Sequence, residues 1–222
     1  MKLTVSMITM NEEGAVAKVI KDIQRVAPDA EVLLVDSSKD RTAEIAEELG
    51  ARVIKQFPPQ GYGPAMDRAV REASGDVVIT LDCDDTYPVE AIPELRRLVE
   101  QDGYDLVNTT RVHKRPKAMP FANFLANRFF ALGARVLHGL KTTDVHSGMR
   151  AYRKSMIDRV QWTAKGAALP VDMYVIPHRM GFRTIEIPID YRERIGTTTL
   201  HRFSSTVWTF KRLWNARKVK RA

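Results

Sequence analysis

The sequence is poor in cysteine and in long apolar runs. Its one cysteine, Cys83, has no partner for a disulfide within the chain, which favours a reducing cytoplasm over secretion. No stretch approaches the roughly 18 to 20 uninterrupted apolar residues that a membrane-spanning helix needs. The short apolar run at the N-terminus ends at Asn11, so we interpret it as a buried strand rather than a signal peptide. Internal repeats and low-complexity segments are also missing.

Acidic residues are scarce in two segments of a chain whose net charge is +8. Residues 111–141 contain seven lysines and arginines and no acid. From residue 192 to the end there are nine lysines and arginines, and Glu193 is the only acid. A basic surface of this kind is compatible with nucleic acid, with anionic lipid or with a phosphorylated substrate. A solvated face without a partner is the alternative interpretation.

The length and the hydrophobic periodicity predict one α/β domain. The chain has 222 residues, of which 44% are hydrophobic, so it can bury a sizeable core but is short for two domains. Apolar, β-branched runs alternate with segments of helical periodicity, which predicts a mostly parallel sheet with helices on both faces. The predicted strands are residues 3–9, 31–35, 52–54, 76–81 and 105–109, and the predicted helices are residues 13–27, 40–49, 65–73 and 88–101.

Polar side chains follow three of the predicted strands, at the point where each strand ends. Ligands of such sheets bind beyond the carboxyl ends of the strands, so we expect the three clusters to converge on one site. The clusters are Thr9, Asn11 and Glu12; Asp36, Ser37 and Ser38; and Asp82, Asp84 and Asp85.

Asp82 and Asp84 are the candidate metal ligands. Side chains two residues apart on an extended segment point the same way, and two adjacent carboxylates repel each other unless a cation or a proton intervenes. Hard oxygen ligands suit Mg²⁺ or Mn²⁺, which commonly also hold substrate phosphates. The alternative is that these aspartates cap the predicted helix 88–101.

Two basic segments carry apolar residues at helical spacing. One covers residues 118–140, and the other is the tail, residues 196–222, which contains Trp208 and Trp214. Stretches of this type are found at membrane interfaces, and tryptophans favour that interpretation for the tail. Packing of each segment on its own domain is the alternative. We expect residues 1–195 to form the α/β domain, including the segment 118–140, and residues 196–222 to form a separate basic amphipathic tail.

Five short segments occur in an order that is specific for one family. They are Thr9-Met10-Asn11-Glu12, Val35 to Thr42, Gly75-Asp76 leading to Leu81-Asp82-Cys83-Asp84-Asp85, His146 to Tyr152, and Gly181-Phe182 leading to Glu186 to Ile189. Together they resemble family 2 glycosyltransferases of the GT-A fold, a Rossmann-like α/β fold. The most similar subgroup is the polyprenyl-phosphate sugar synthases, of which dolichyl-phosphate mannose synthase is the best known.

The resemblance implies an inverting glycosyltransferase that uses Mg²⁺ or Mn²⁺. Its donor is a nucleoside-diphosphate sugar, UDP- or GDP-linked, and its acceptor a dolichyl or undecaprenyl phosphate at the cytoplasmic membrane surface, with or without a membrane-anchoring subunit. The alternatives are a hydroxyl acceptor in cell-wall or polysaccharide synthesis, and a sugar nucleotidyltransferase. Nucleotidyltransferases usually carry a glycine-rich loop near the first strand, which this chain lacks there. Nucleic acid is not an expected partner, because the sequence has no DNA- or RNA-reading motif.

The resemblance also implies roles for residues on the donor side. Thr9, Asn11 and Glu12 line the base and ribose pocket, and Asp36 contacts the nucleoside. Asp82 and Asp84 bind the ribose and the metal in this resemblance, and Asp84 is also predicted to be catalytic.

On the acceptor side, Arg111 resembles an arginine that meets the acceptor phosphate, and Arg128 is a second candidate. Ser147, Gly148 and Arg150 match the family's S-G-x-R segment near the sugar and the acceptor. Arg111 and Arg150 are therefore predicted to be catalytic.

The chain departs from the family pattern at several positions. Ile8 and Met10 replace a proline and a tyrosine, and Ser37 stands where a second aspartate is common. The late G-x-S-K-L motif has no lysine in residues 196–200, for which His201 or Arg202 is a candidate replacement. These departures leave the identity of the base open.

The acceptor decides whether a general base is needed. A lipid phosphate is already ionised near neutral pH and needs only arginines that hold it in line. A hydroxyl acceptor must lose its proton to a carboxylate, for which Asp172 and Asp85 are the candidates.

Overall fold

The structure, a computed structural model, is described for residues 1–117, 119–166, 168–195 and 202–220, and for residues 202–205 only the backbone is described. Within these ranges seven strands form one sheet, in the order β3-β2-β1-β4-β6-β5-β7. They are β1 (Leu3–Thr9), β2 (Glu31–Asp36), β3 (Arg52–Lys55), β4 (Val77–Thr80), β5 (Leu106–Thr110), β6 (Arg150–Arg153) and β7 (Thr184–Pro188).

Helices cover both faces of the sheet, as predicted. On one face α1 and α4 pack on Leu3, Val5 and Ile79, and on the other face α3 and α7 pack on Leu33 and Val78. This alternation follows from the opposite directions of successive strand side chains. The helices are α1 (Val16–Val26), α2 (Thr42–Glu48), α3 (Tyr62–Arg71), α4 (Ile92–Glu100), α5 (Phe121–His138), α6 (Lys154–Arg159), α7 (Leu169–Arg179) and α8 (Arg202–Asn215), with 3-10 turns at Val89–Ala91 and Ala216–Lys218.

One strand of the sheet runs against the others. β6 pairs antiparallel with both β4 and β5, whereas β1, β2, β3 and β4 pair in parallel, as do β5 and β7. The predicted mostly parallel sheet is therefore confirmed. Because β6 is reversed, the segment that precedes it reaches the same edge of the sheet as the carboxyl ends of its neighbours.

The four predicted helices begin two to four residues away from their predicted starts, and two of these shifts have a local cause. α3 starts at Tyr62 rather than Ala65, because Gly61 takes a left-handed conformation (φ 93°) and Pro64, which lacks an amide hydrogen, is tolerated in the first turn. The predicted helix 88–101 begins as a 3-10 turn before α4, whose N-cap Ala91 receives no side-chain hydrogen bond. The capping interpretation of Asp82 and Asp84 therefore finds no support at this helix.

The last helix packs on the domain rather than extending from it. Leu213 and Ala216 are buried in the same apolar cluster as residues of α5 and α7, and the Arg212 guanidinium pairs with the buried Asp172 carboxylate. In the described residues no helix combines the length and the apolar character that crossing a bilayer requires.

Candidate active site

The polar clusters after β1 and β2 are joined by hydrogen bonds around Asp36. The Thr9 and Ser38 hydroxyls each donate to Asp36 Oδ1 at 2.6 Å, and the Ser38 amide donates to Oδ2 at 3.1 Å. Asp36 is buried, so these donors compensate its charge and fix its orientation. Oδ2 retains acceptor capacity for one further donor.

The loop after β1 is tied to the loop after β2. Asn11 has a left-handed backbone (φ 59°), which asparagine tolerates better than most residues. Its amide donates to Ser38 Oγ at 2.8 Å, and its side-chain oxygen accepts from the Lys39 amide at 2.9 Å. The Glu12 amide donates to Thr42 Oγ1 at 2.9 Å. Asn11 and Glu12 thus lie, as predicted, at the edge of the sheet near Asp36.

Asp82 and Asp84 follow β4, and their surroundings differ. Asp84 is buried, and its Oδ1 accepts from the Thr86 hydroxyl at 2.6 Å and from the Thr86 amide at 3.1 Å. Among the residues that the structure describes, none donates a hydrogen bond to the Asp82 carboxylate. Burial, followed by the negative charge of Asp84, raises the pKa of Asp82 to about 7.

This carboxylate pair fits a divalent cation that is shared with a substrate. In the described ranges no three histidine, cysteine, aspartate or glutamate side chains are grouped to hold a metal on their own. Mg²⁺ and Mn²⁺ do not require such a cage, because one or two carboxylates suffice when phosphate oxygens and water complete the shell. The free oxygens of Asp82 and its mutual repulsion with Asp84 are the features that such an ion would relieve.

The segment before β6 lies against Asp82. A Cβ added at Gly148 would be 3.0 Å from Asp82 Oδ2 and 3.1 Å from Oδ1, so any other residue here would require this carboxylate to shift. The Gly148 amide donates to the Tyr87 hydroxyl at 2.7 Å, and the buried Ser147 hydroxyl is 2.7 Å from Thr109 Oγ1. The structure therefore brings Ser147 and Gly148 to the predicted metal ligands.

Arg150 lies in the interior of the protein. It is 1% exposed, and its guanidinium donates to Asn108 Oδ1 at 2.6 Å, to the Val145 carbonyl at 2.9 Å and to the Pro170 carbonyl. These contacts hold the segment before β6 against β5 and α7. The catalytic role predicted for Arg150 stays a prediction, and its geometry favours positioning of the segment over direct contact with a substrate.

Arg111 is paired with a buried carboxylate next to the site. Its Nε lies 2.7 Å and its Nη2 3.1 Å from the Asp144 carboxylate, and its guanidinium lies over the Tyr191 ring at 5.4 Å. Burial alone would raise the pKa of Asp144, but the charge and hydrogen bonds of Arg111, together with His146, lower the pKa overall. Arg111 also borders a cavity of about 600 Å³, whose basic lining residues are His113, Lys114, Arg115, Lys117 and Arg192. Arg128, the second candidate, is exposed on α5 and is not among the residues that line this cavity.

The two candidate general bases are held in ion pairs. Asp85 lies 2.8 Å from Lys18 Nζ on α1, and Asp172 pairs with Arg212 of α8. The late motif, residues 196–200 with His201, lies outside the described residues, as does the side chain of Arg202.

Sequence reasoning missed Arg194. Its guanidinium lies 2.9 Å from both Asp84 Oδ2 and Glu12 Oε1, between two of the three predicted clusters. Arg194 belongs to a basic stretch without periodicity, and no feature of the sequence pairs it with these acids.

The chain matches the sequence model of Glycosyl transferase family 2 over residues 4–161. A dolichyl-phosphate hexose transferase from Haloferax volcanii is 44% identical over 91% of this chain and 88% of the relative. The low-salt glycan biosynthesis hexosyltransferase Agl6 from the same organism is 32% identical over 90% of this chain, which spans only 50% of that relative. An undecaprenyl-phosphate mannosyltransferase from Micrococcus luteus is 28% identical over 87% of this chain and 85% of the relative.

Among solved structures, the fold matches glucosyl-3-phosphoglycerate synthase from Mycobacterium tuberculosis in complex with Mn²⁺, uridine diphosphate and glucosyl-3-phosphoglycerate. The TM-score is 0.79 at 21% identity, over 100% of this chain and 81% of that chain. This likeness concerns the fold alone, and it confirms the predicted GT-A architecture.

Proposed function

Because the chain belongs to glycosyl transferase family 2, we propose that it moves a sugar from a nucleoside-diphosphate sugar to a polyprenyl phosphate in one inverting displacement. The observation that carries this proposal is the pair Asp82 and Asp84 at the end of β4, with the open carboxylate of Asp82 against Gly148. Two of its relatives, the dolichyl-phosphate hexose transferase and the undecaprenyl-phosphate mannosyltransferase, support this class of acceptor.

On the donor side, Asp36 and Asn11 would orient the nucleoside, and Asp82 and Asp84 would hold Mg²⁺ or Mn²⁺. The ion supplies Lewis-acid stabilisation of the departing nucleoside diphosphate. Thr9 and Ser38 contribute indirectly, because their hydroxyls fix the Asp36 carboxylate before the donor arrives. Such preorganisation avoids reorientation of the polar groups when the substrate binds.

On the acceptor side, the cavity beside Arg111 would receive the lipid phosphate. Arg115 and Lys117 line it beside Arg111, and one acidic lining residue, Asp190, is paired with Lys114, so cationic side chains are available for a phosphate. No general base is required, since a phosphate acceptor is already ionised near neutral pH. The ion pairs that occupy Asp85 and Asp172 are consistent with this mechanism and disfavour a hydroxyl acceptor.

Access to a lipid acceptor is provided by the exposed apolar side chains of α5 and α8, which would place the protein at the membrane surface. Phe129 of α5 and Phe210 of α8 are each more than half exposed, and their rings are 5.9 Å apart. Arg128 and Lys211 are exposed on the same two helices. Apolar and basic residues in this combination favour the surface of an anionic membrane.

Two substitutions at neighbouring aspartates test the proposal. Asp84→Asn keeps the acceptor oxygen for Thr86 but removes the charge that holds the metal, so we expect sugar transfer to polyprenyl phosphate to fall by about 10³-fold or more. Asp85→Asn is the matched control. Asparagine tolerates the left-handed backbone at this position (φ 62°), and the Asp85 carboxylate that it replaces is held in a partly exposed ion pair with Lys18. Transfer should therefore stay within about twofold.

The assay supplies radiolabelled UDP- and GDP-sugars with Mn²⁺ and counts label in the organic phase, and circular dichroism verifies that both variants are folded. Full activity of Asp84→Asn would refute the metal assignment. A large loss with Asp85→Asn would instead indicate a general base and hence a hydroxyl acceptor.

A further inference from the structure

A short stretch after β7 crosses the predicted metal ligands. We call residues 191–195 the strap. The Arg192 amide donates to the Thr86 carbonyl at 2.9 Å, and the Ile195 amide donates to the Asp84 carbonyl at 3.0 Å. The Arg192 guanidinium also pairs with Glu90 at 2.8 Å. Backbone and side-chain contacts therefore fix the strap directly over the segment that carries Asp84.

From this strap Arg194 joins two carboxylates that come from different strands. Its Nη1 lies 2.9 Å from Asp84 Oδ2, and its Nη2 lies 2.9 Å from Glu12 Oε1. The Asp84 side chain is 3% exposed and that of Arg194 is 31% exposed, so the ion pair is largely shielded from water. Removing one partner of such a pair leaves an uncompensated charge.

The charges around this pair show why a cation is required. Burial raises the pKa of Glu12, Arg194 opposes that rise, and the charge of Asp84 adds to it. Three carboxylates, those of Glu12, Asp82 and Asp84, therefore act on one another at the end of the sheet. The Arg194 guanidinium places a positive charge within ion-pair distance of two of them, Glu12 and Asp84.

The oxygen that Arg194 occupies is the one that a metal ion would use. Asp84 Oδ1 already accepts two hydrogen bonds from Thr86, so Oδ2 is the oxygen with free capacity. A guanidinium nitrogen at 2.9 Å and a divalent cation at roughly 2.0–2.1 Å cannot share that oxygen without strong repulsion between the two positive charges.

We propose that Arg194 is the resident counter-ion of the donor site, and that a divalent cation binds only by taking Asp84 Oδ2 from it. This inference rests on the proposed function, because that function assigns the metal to Asp84. The displaced guanidinium stays beside the site, since Glu12 and the backbone bonds of the strap retain it. There it binds the diphosphate that arrives with the metal. Arg194 is thus a positioning residue that makes metal alone bind weakly and metal with diphosphate bind tightly.

Binding of Mn²⁺ to the metal-free 222-residue chain tests this without any sugar transfer. The free ion is measured by electron paramagnetic resonance, with and without pyrophosphate. For Arg194→Gln we expect Mn²⁺ alone to bind about tenfold tighter than to the wild type, because the competing charge is gone. In the presence of pyrophosphate the advantage should disappear or reverse, because the variant has no guanidinium to offer the diphosphate.

Arg192→Gln is the matched control. It also removes one positive charge from the strap, but that charge is paired with Glu90 rather than with Asp84. The Mn²⁺ affinity of this variant should therefore stay within about twofold of wild type. Arg194→Lys keeps a cation in place and should resemble the wild type; it also serves if Arg194→Gln does not fold. A role confined to bracing the strap would weaken Mn²⁺ binding or leave it unchanged.

Equal Mn²⁺ affinities for Arg194→Gln and Arg192→Gln would overturn the inference, as would the absence of Mn²⁺ binding in every variant. The proposed function fails separately. If the binding pattern holds but labelled sugar does not reach polyprenyl phosphate, the acceptor is wrong and the role of Arg194 stands.

Discussion

Gly148 illustrates how one residue without a side chain shapes the site. Its backbone lies close enough to Asp82 that any Cβ would press on both carboxylate oxygens. The contact is with the end of a side chain rather than with backbone, so a methyl group can be accommodated if Asp82 turns away. The position therefore limits function more than folding.

Gly148→Ala should reduce sugar transfer by about 10- to 100-fold, because a shift of a few tenths of an ångström misplaces a metal ligand. Its free energy of unfolding should change by less than about 1 kcal/mol. Steady-state kinetics and urea denaturation measure the two effects. Gly75→Ala is the contrast: its Cβ would lie 2.6 Å from the Thr4 backbone nitrogen, so it should destabilise the fold by about 3 kcal/mol or more. An active Gly148→Ala would show that Asp82 need not keep its position.

Residues whose chemistry follows directly from a strand were predictable. Asp36 and Asp82 stand immediately after apolar runs, and the parallel sheet brings such positions to one edge. Arg194 was not predictable, because its contact with Asp84 depends on the path of a strap that has no periodic pattern. For Arg150 the sequence identified the segment but not the burial of the guanidinium.

Among the elements, α5 and α8 show how two amphipathic segments become one surface. The sequence left open whether each segment packs on the domain or meets a membrane. In the structure both helices bury one face in the domain and expose apolar side chains on the other. Phe130 and Leu213 are buried in the core, whereas neighbouring side chains are exposed on the outer face. On these two helices the described apolar side chains that are at least half exposed are Phe121, Leu125, Phe129, Leu132, Val136, Val207, Phe210 and Trp214.

Replacing both Phe129 and Phe210 with glutamate should weaken binding of this surface to membranes. Each change removes apolar area that a bilayer would bury and adds a charge that anionic lipid repels, so binding to vesicles of phosphatidylglycerol and phosphatidylcholine should fall by about tenfold or more. Sedimentation with the vesicles measures the bound fraction. Phe57→Ser, which alters an exposed phenyl ring outside α5 and α8, should bind as the wild type does. Unchanged binding of the double variant would place the membrane contact elsewhere.

Up to residue 109 the boundaries of elements were predictable to within a few residues, whereas β6, α6, α7 and β7 were not predicted. Strand positions followed from β-branched apolar runs, as for β1 and β4. The reversal of β6 and the burial of α8 did not follow, because pairing partners and helix docking depend on contacts between distant segments.

The molecule as a whole is joined around His146, which connects three elements. It precedes β6, its Nε2 shares a hydrogen bond with Thr209 of α8 at 2.8 Å, and its ring contacts Phe130 of α5. Burial lowers the pKa of His146 to about 4, against the opposing charge of Asp144. The folded protein therefore keeps this imidazole neutral at a pH where the unfolded chain has protonated it.

Acidification should weaken the whole fold through this group. The lowered pKa means that the unfolded state binds more protons than the folded state between about pH 6.5 and pH 4, so stability rises with pH across that window and is lost as pH falls. The contribution at neutral pH is about 3 kcal/mol. Asp82 and Asp172, whose pKa values burial raises, act in the opposite direction, so the comparison is between the wild type and His146→Gln. Urea unfolding at pH 4.5 and pH 7.5 should show a smaller loss for the variant; parallel curves would contradict the assignment.

The reversed strand β6 determines from which direction each loop reaches the candidate active site. The predicted nucleotide-binding residues up to Asp85 lie at or after the carboxyl ends of β1, β2 and β4. Ser147 and Gly148 instead lie on the loop that precedes the amino end of β6. Gly148 and Arg194, which stand before and after this strand in the sequence, both reach the predicted metal ligands. The predicted donor site is therefore complete only when residues from both sides of β6 have come together.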